Sequence, residues 1–269
     1  MKLQQFKSNC LKIRSTIIDM IAVNNRGHYG SAMSLVEILV FLYQEYLKID
    51  SKNHQLEDRD RLILSKGHGC LALYAVLKNR GFINKKDLLT FSKFDSLLAG
   101  HPERSIPGIE TSTGSLGHGL SIGVGMAIGL KLKKIKSKVI VIMGDGEINE
   151  GSVWEAALHA SKHQLDNLIV IIDYNKIQSY GSTKEVCNLE PLAKKWESFG
   201  FKVSQFDGHN YKEISKSFKS KNFTKKKPHL FISHSIKGKG FFKSENNPEW
   251  HHKRFNNNEI KELKKIFNR

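Results

Sequence analysis

Apolar positions near the start of the chain step by three and four: Leu3, Phe6, Cys10, Ile13, Ile17 and Met20 share one helical face. NNRGHYGS (24–31) interrupts with two glycines, and SLVEILVFLYQEYL (34–47) resumes as an apolar helix. RLILSKGHG (61–69) reads as a loop with a second Gly-His pair, ahead of the helical CLALYAVLKNRG. AGHPE (99–103) puts a third histidine in a loop. After TSTGSLGHG (111–119) comes a helix carrying Ser121, Gly123, Gly125, Ala127 and Gly129. Glycine weakens a helix, so this run predicts close packing against another backbone.

The second half alternates more regularly. KVIVIMG (138–144) predicts a buried strand, EGSVWEAALHASKH (150–163) a helix, and NLIVIIDYN (167–175) another buried strand. That unit makes its two strands parallel. FKVSQFDG (201–208), the helical KEISKSF (212–218) and HLFISHSIKG (229–238) continue the pattern, and the polar tail from Phe255 predicts a last helix. The expected fold class is α/β: a doubly wound, mostly parallel sheet with helices on both faces. Without repeats or an evident linker, residues 1–269 are expected to form one domain with a helical, loop-rich N-terminal part.

Composition narrows the setting. No apolar run approaches the roughly 20 residues of a membrane span, and no secretory leader pattern opens the chain. Cys10, Cys70 and Cys187 fit neither a disulfide framework nor a zinc site, so a cytoplasmic protein with reduced thiols is expected. The net charge of +17 gathers in KLKKIKSK (131–138) and KSFKSKNFTKKK (216–227). Such runs are most often solvated faces, with steering of small anions or non-specific polyanion binding as the alternatives. Nothing resembles a nucleic-acid recognition motif, so no specific nucleic acid is expected.

The chemistry concentrates at Gly144-Asp145-Gly146, where a buried strand ends. Ligands of open parallel sheets sit beyond the carboxyl ends of the strands. Asn175 ends the next strand, and neighbouring strands run about 5 Å apart, so Asp145 and Asn175 could reach one ion. A carboxylate with an amide oxygen suits magnesium or calcium, which take oxygen ligands and share their shells with phosphates. Flanking glycines would let a phosphate approach the backbone near the amides of the following helix. Alone, a Gly-Asp-Gly turn is as often just a turn; the step of one whole strand-helix-strand unit to Asn175 favours the ion. G-D-G-E-I-N lacks the third glycine of a dinucleotide fingerprint, which argues against hydride transfer.

GDGEINEG followed by DYNKIQ resembles the diphosphate and metal motif of thiamin diphosphate enzymes. More narrowly, the chain resembles the N-terminal, diphosphate-binding subunit of a split transketolase. NNRGHYGSAMS, LSKGHGCLALYAVL, GHPE, TSTGSLGHGLSIGVGMA, GDGEINEGSVWEAA, DYNKIQSYG, DGH and IKGKG with EWHHK stand in that family's order, over roughly residues 10 to 253. The resemblance implies magnesium (or calcium or manganese) on Asp145, Asn175 and the carbonyl of Ile177, with the Gly146 amide at the diphosphate. It implies that Gly114, Ser115 and Leu116 lie beside the cofactor. His68 and His101 match histidines near its diphosphate and reactive ring; His28 and His251 match residues of the substrate channel, although His252 makes that register loose. A lone loop histidine is most often structural, but loops at one sheet end converge, and imidazoles titrate near neutral pH. Glu150 and Glu155 are either ordinary first-turn acids or, by the resemblance, part of a carboxylate network joining active sites across a dimer.

The family often has proline at position 115 and glutamine at 118, where this chain has Ser115 and His118. The pyrimidine-binding domain, with the glutamate that serves the cofactor's aminopyrimidine, has no counterpart in these residues. The resemblance therefore implies that the isolated chain is inactive and needs a C-terminal transketolase subunit, two of each forming a heterotetramer. Together they would move a two-carbon ketol unit from a ketose phosphate to an aldose phosphate. Other readings are a subunit like deoxyxylulose-phosphate synthase or a 2-oxo-acid dehydrogenase, and a non-catalytic polyanion-binding protein on this fold.

Overall fold

Runs that are apolar at every position, rather than at alternate ones, must be covered on both sides. Two such runs, 139–143 and 168–172, build β2 (Val139–Gly144) and β3 (Leu168–Tyr174), every residue of which is buried. With β1 (Arg61–Leu64), β4 (Lys202–Asp207) and β5 (His229–His234) they make a parallel sheet of order β1-β2-β3-β5-β4. The computed structural model describes residues 1–179 and 181–267; Tyr180, inside the DYNKIQSYG block, lies outside them.

Eleven helices occur among the described residues. They are α1 (Leu3–Asn24), α2 (Tyr29–Met33), α3 (Val36–Phe41), α4 (Cys70–Asn79), the single turn α5 (Lys85–Leu88) and α6 (His118–Leu132). There follow α7 (Gly151–Lys162), the single turn α8 (Thr183–Val186), α9 (Leu192–Ser198), α10 (Tyr211–Ser217) and α11 (Asn257–Phe267). Alternate strand residues feed two cores. Ile140, Ile142, Ile169, Ile171 and Phe231 pack with α1, α3 and α4. Val139, Val141, Met143, Val170, Ile172 and Leu230 pack with α6, α7 and α9. Each such side chain contributes about 1.5–3 kcal/mol by leaving water.

The doubly wound α/β class expected from the pattern is the one observed, with three local corrections. Arg61–Leu64, read as loop, is edge strand β1, paired in register with Arg61 opposite Val139. The apolar stretch 34–47 is not one α-helix: α3 passes into a π-turn at Leu42–Tyr46. The last strand stops at His234, so residues 235–238 lie in the loop beyond it. The glycines of α6 divide. A Cβ at Gly123 would stand 2.5 Å from Val141 Cγ2, which places helix against sheet, whereas Gly125 and Gly129 face open space. Close approach thus explains one side of that helix only.

Candidate active site

The sheet's carboxyl edge carries a cleft of about 270 Å³. Its floor is the pair of adjacent tips of β2 and β3, where Gly144 lies opposite Asp173. Immediately beyond, Asp145 starts the 3-10 turn Gly146–Asn149, with its Oδ1 accepting the Gly146 N–H at 2.8 Å. Its Oδ2 accepts the Lys176 N–H at 2.6 Å, a bond that crosses from one strand end to the next. Asn175 Oδ1 accepts the Ile177 N–H at 3.1 Å. Asp145, Asn175 and Ile177 therefore bring three hard oxygens to one wall of the cleft.

Buried charge organises that wall. Asp173 forms an ion pair with Lys66 at 2.5 Å, both side chains almost fully buried. It also accepts from Ser34 Oγ at 2.6 Å, from Ser235 Oγ, and from Asn175 Nδ2 at 3.4 Å. Burial, reinforced by the charge of Asp173, pushes the Asp145 carboxyl up to about 6. A divalent cation would relieve that carboxylate, and the donors are oxygens throughout, so the residues fit magnesium. Glu147 accepts from Ser65 Oγ, from the Gly117 amide at 3.0 Å and from the Gly144 amide at 3.2 Å, fastening three loops together. Lys237 donates to the carbonyls of Ile177 and Gln178 at 2.9 and 3.1 Å. Burial, then the charge of Lys66, presses its ammonium down to about 8, against the pull of Asp145 and Asp173.

The opposite wall is imidazole. The ring centroid of His28 lies 5.3 Å from that of His68, 6.1 Å from His101 and 5.1 Å from His251. His252 is nearer still, at 4.1 Å. His28 stands at the start of α2, His68 in the 3-10 turn Gly67–Gly69, and His251 just after the turn Pro248–Trp250. The histidine loops thus converge on one cleft. Burial, the neighbouring imidazoles and two lysines hold His28 and His251 at about 3, and His68 well below its ordinary value. His101 is lowered by burial alone. His28, His68 and His251 enter the cleft neutral, offering one donor and one acceptor each. His28 Nδ1, His251 Nδ1 and Gln178 Nε2 are buried there without a partner.

The remaining residues divide. Gly114, Leu116 and Gly146 line the cleft. A Cβ on Gly114 would come within 3.1 Å of the His101 ring, and one on Gly146 within 3.0 Å of Gln178, so both positions keep the cleft open by lacking a side chain. Ser115 is exposed and does not line it. Glu150 and Glu155 are exposed at the start of α7 and also lie outside it. Sequence reasoning misses Lys66, Lys237, Gln178, Glu147 and Asp173. The signals that could have found them are their places in SKGH, IKGKG, DYNKIQ and GDGE, the same runs that carry the residues it does find.

The thiamine diphosphate-binding domain of transketolase matches residues 7–268. This chain belongs to that family. It is 41% identical to an apulose-4-phosphate transketolase subunit of Phocaeicola vulgatus, over 94% of this chain and 90% of that protein. It is 42% identical to a 6-deoxy-6-sulfo-D-fructose transketolase subunit of a Clostridium species, over 85% of this chain and 83% of the other. The crystal structure of transketolase from Campylobacter jejuni superposes with a TM-score of 0.93 at 32% identity, over 100% of this chain and 43% of that one. Against such longer transketolases the chain spans about two fifths of their length. No helix among the described residues is long and apolar enough to cross a membrane.

Proposed function

We propose that this chain is the diphosphate- and magnesium-holding subunit of a two-chain transketolase, which passes a two-carbon ketol unit from a ketose phosphate to an aldose phosphate. The observation that carries this reading is the meeting of three hard oxygens at adjacent strand tips with a wall of imidazoles across one cleft. Asp145, Asn175 and the carbonyl of Ile177 would hold the ion. The Gly146 amide would face the diphosphate, and Gly114 and Leu116 would flank the cofactor. Thiamin diphosphate, when bound, supplies the nucleophilic carbon on which ketol transfer depends. His68 and His101 would bind and orient near its diphosphate and ring. His28 and His251, with unpartnered Nδ1 atoms, would take hydroxyls of the sugar.

The names of the relatives support a second chain. Three relatives at 41–45% identity are each named as one subunit of a transketolase, two for apulose 4-phosphate and one for a sulfosugar. A partner bearing a pyrimidine-binding domain and its glutamate would complete the site, with two copies of each chain in the assembly. The relatives' named substrates, a ketose phosphate and a sulfonated ketose, each end in an anionic group, which fits a strongly basic protein. Exposed Glu150 and Glu155 would then belong to the contact with other chains. The test is thermal stabilisation by thiamin diphosphate with magnesium, followed by ketol transfer from xylulose 5-phosphate to ribose 5-phosphate once the partner is added. No stabilisation by the pair, even with the partner present, would remove the reading.

A further inference from the structure

The cleft holds a second set of ligand atoms, chemically unlike the first. His28, His251 and His252 each offer a ring nitrogen, and the three nitrogens lie within 4.8 Å of one another. We propose that these three imidazoles form a transition-metal site, which takes zinc or a similar borderline-soft divalent ion at the cleft mouth, apart from the oxygens of Asp145 and Asn175. Zinc binds imidazole nitrogen at about 2.0–2.1 Å, so nitrogens sharing one tetrahedral ion stand about 3.3 Å apart. The present spacing of at most 4.8 Å exceeds that by no more than about 1.5 Å, a gap within the reach of side-chain rotation.

Two of the three rings are already placed. Asn25 and Phe255 exchange two hydrogen bonds, Nδ2 to carbonyl at 2.6 Å and amide to Oδ1 at 2.7 Å, fastening the segment after α1 to the segment before α11. Tyr29 packs its ring 5.9 Å from Trp250 and 5.3 Å from Phe255, which fixes His28 and His251 on facing supports. His251 Nε2 meets Ser179 Oγ at 3.2 Å, so its Nδ1 remains for a ligand. That atom and His28 Nδ1 are buried and unpartnered. A hydroxyl behind a ligating imidazole sets its tautomer and orientation. Lys66 and Lys237 oppose a dication, but Lys66 is matched by Asp173 and Lys237 is held on two carbonyls. Three imidazoles leave a fourth position open. An ion there would compete with sugar hydroxyls for His28 and His251.

The experiment is a cobalt(II) titration of the full chain in excess magnesium, so that the oxygen donors are taken. The expected result is the intense visible absorption of tetrahedral cobalt, saturating at one equivalent and bleached by zinc. His252→Ala should weaken binding more than about tenfold, and Ser179→Ala by about tenfold. His252→Asn gives a second variant, and circular dichroism confirms that each is folded. The double variant His159→Ala/His163→Ala removes a pair of neighbouring imidazoles outside the cleft, whose centroids are 6.3 Å apart, and should leave the signal intact. A six-coordinate spectrum, a signal unchanged in both His252 variants, or one lost with His159 and His163 would each overturn the site. It does not depend on thiamin diphosphate binding, so either result can fail alone.

Discussion

The ammonium of Lys237 lies 2.9 Å from the carbonyl oxygen of Ile177, an oxygen that the transketolase resemblance gives to magnesium. The chain thus sets its own cation against part of the proposed metal shell, and tethers the segment that follows Asn175. Replacing Lys237 with Met should leave two carbonyls short of a donor and cost about 1–3 kcal/mol. Magnesium should restore part of that loss by taking up the Ile177 oxygen. Urea unfolding with and without magnesium measures both, and equal stability of variant and parent in magnesium-free buffer would show that the tether holds nothing.

Lys66 and Asp173 are the most deeply buried ion pair among the described residues. Removing one member strands the other charge in the core, so Asp173→Ala should cost about 3–5 kcal/mol. Chemical denaturation reads this directly. Replacing both members together with Met and Leu should cost less than the single change, because no uncompensated charge is left.

Glu37 gives a pH signature away from the cleft. Burial alone would raise its carboxyl, but Arg14, at 2.8 Å, and His209, at 3.0 Å, outweigh burial and hold it at about 2. Because the folded value is depressed below the ordinary 4.5, its stabilisation is complete above about pH 4.5 and is lost as the pH falls towards 2. Glu37→Gln should therefore cost about 3 kcal/mol at neutral pH, with the gap to the parent closing between pH 4.5 and 2. Unfolding at stepped pH checks it; a constant gap would show that the carboxylate is not the cause.

Gly114 has a φ of 153°, and a methyl group there would crowd the His101 ring at 3.1 Å. Gly114→Ala should cost more than about 1 kcal/mol and displace the His101 ring. Weaker stabilisation by thiamin diphosphate and magnesium in a melting experiment would accompany that loss, beyond the fall in melting temperature itself.

Glu155 offers the opposite expectation. It is exposed and outside the cleft, so Glu155→Ala should change the chain's own stability by less than about 0.5 kcal/mol. Its effect should emerge in assembly with the partner, measured by sedimentation. A melting shift in the isolated chain with assembly unimpaired would rule out an interface role.

Where the sequence spoke clearly, it did so through physical excess. β2 and β3 are apolar at consecutive positions until their tips, Gly144 and Asp173, which only a sheet covered on both faces explains. Asp145 and Asn175 follow from their ends, and the Gly-His loops from their repetition. β1 was hidden because three apolar residues between Arg61 and Ser65 are too few to separate a strand from a loop. Lys66 and Asp173 were hidden for another reason: their pairing spans 107 residues, and no local pattern announces it. Ser115 carried the right neighbours and still turned outward, because motif position does not fix side-chain direction.

The clasp between Asn25 and Phe255 joins positions 230 residues apart and aligns the rings of His28 and His251. A nascent polypeptide still short of Trp250 would have its oxygen donors but only part of its histidine wall. The ring nitrogens on that side are therefore brought together only after Phe255 has been made and has docked on Asn25.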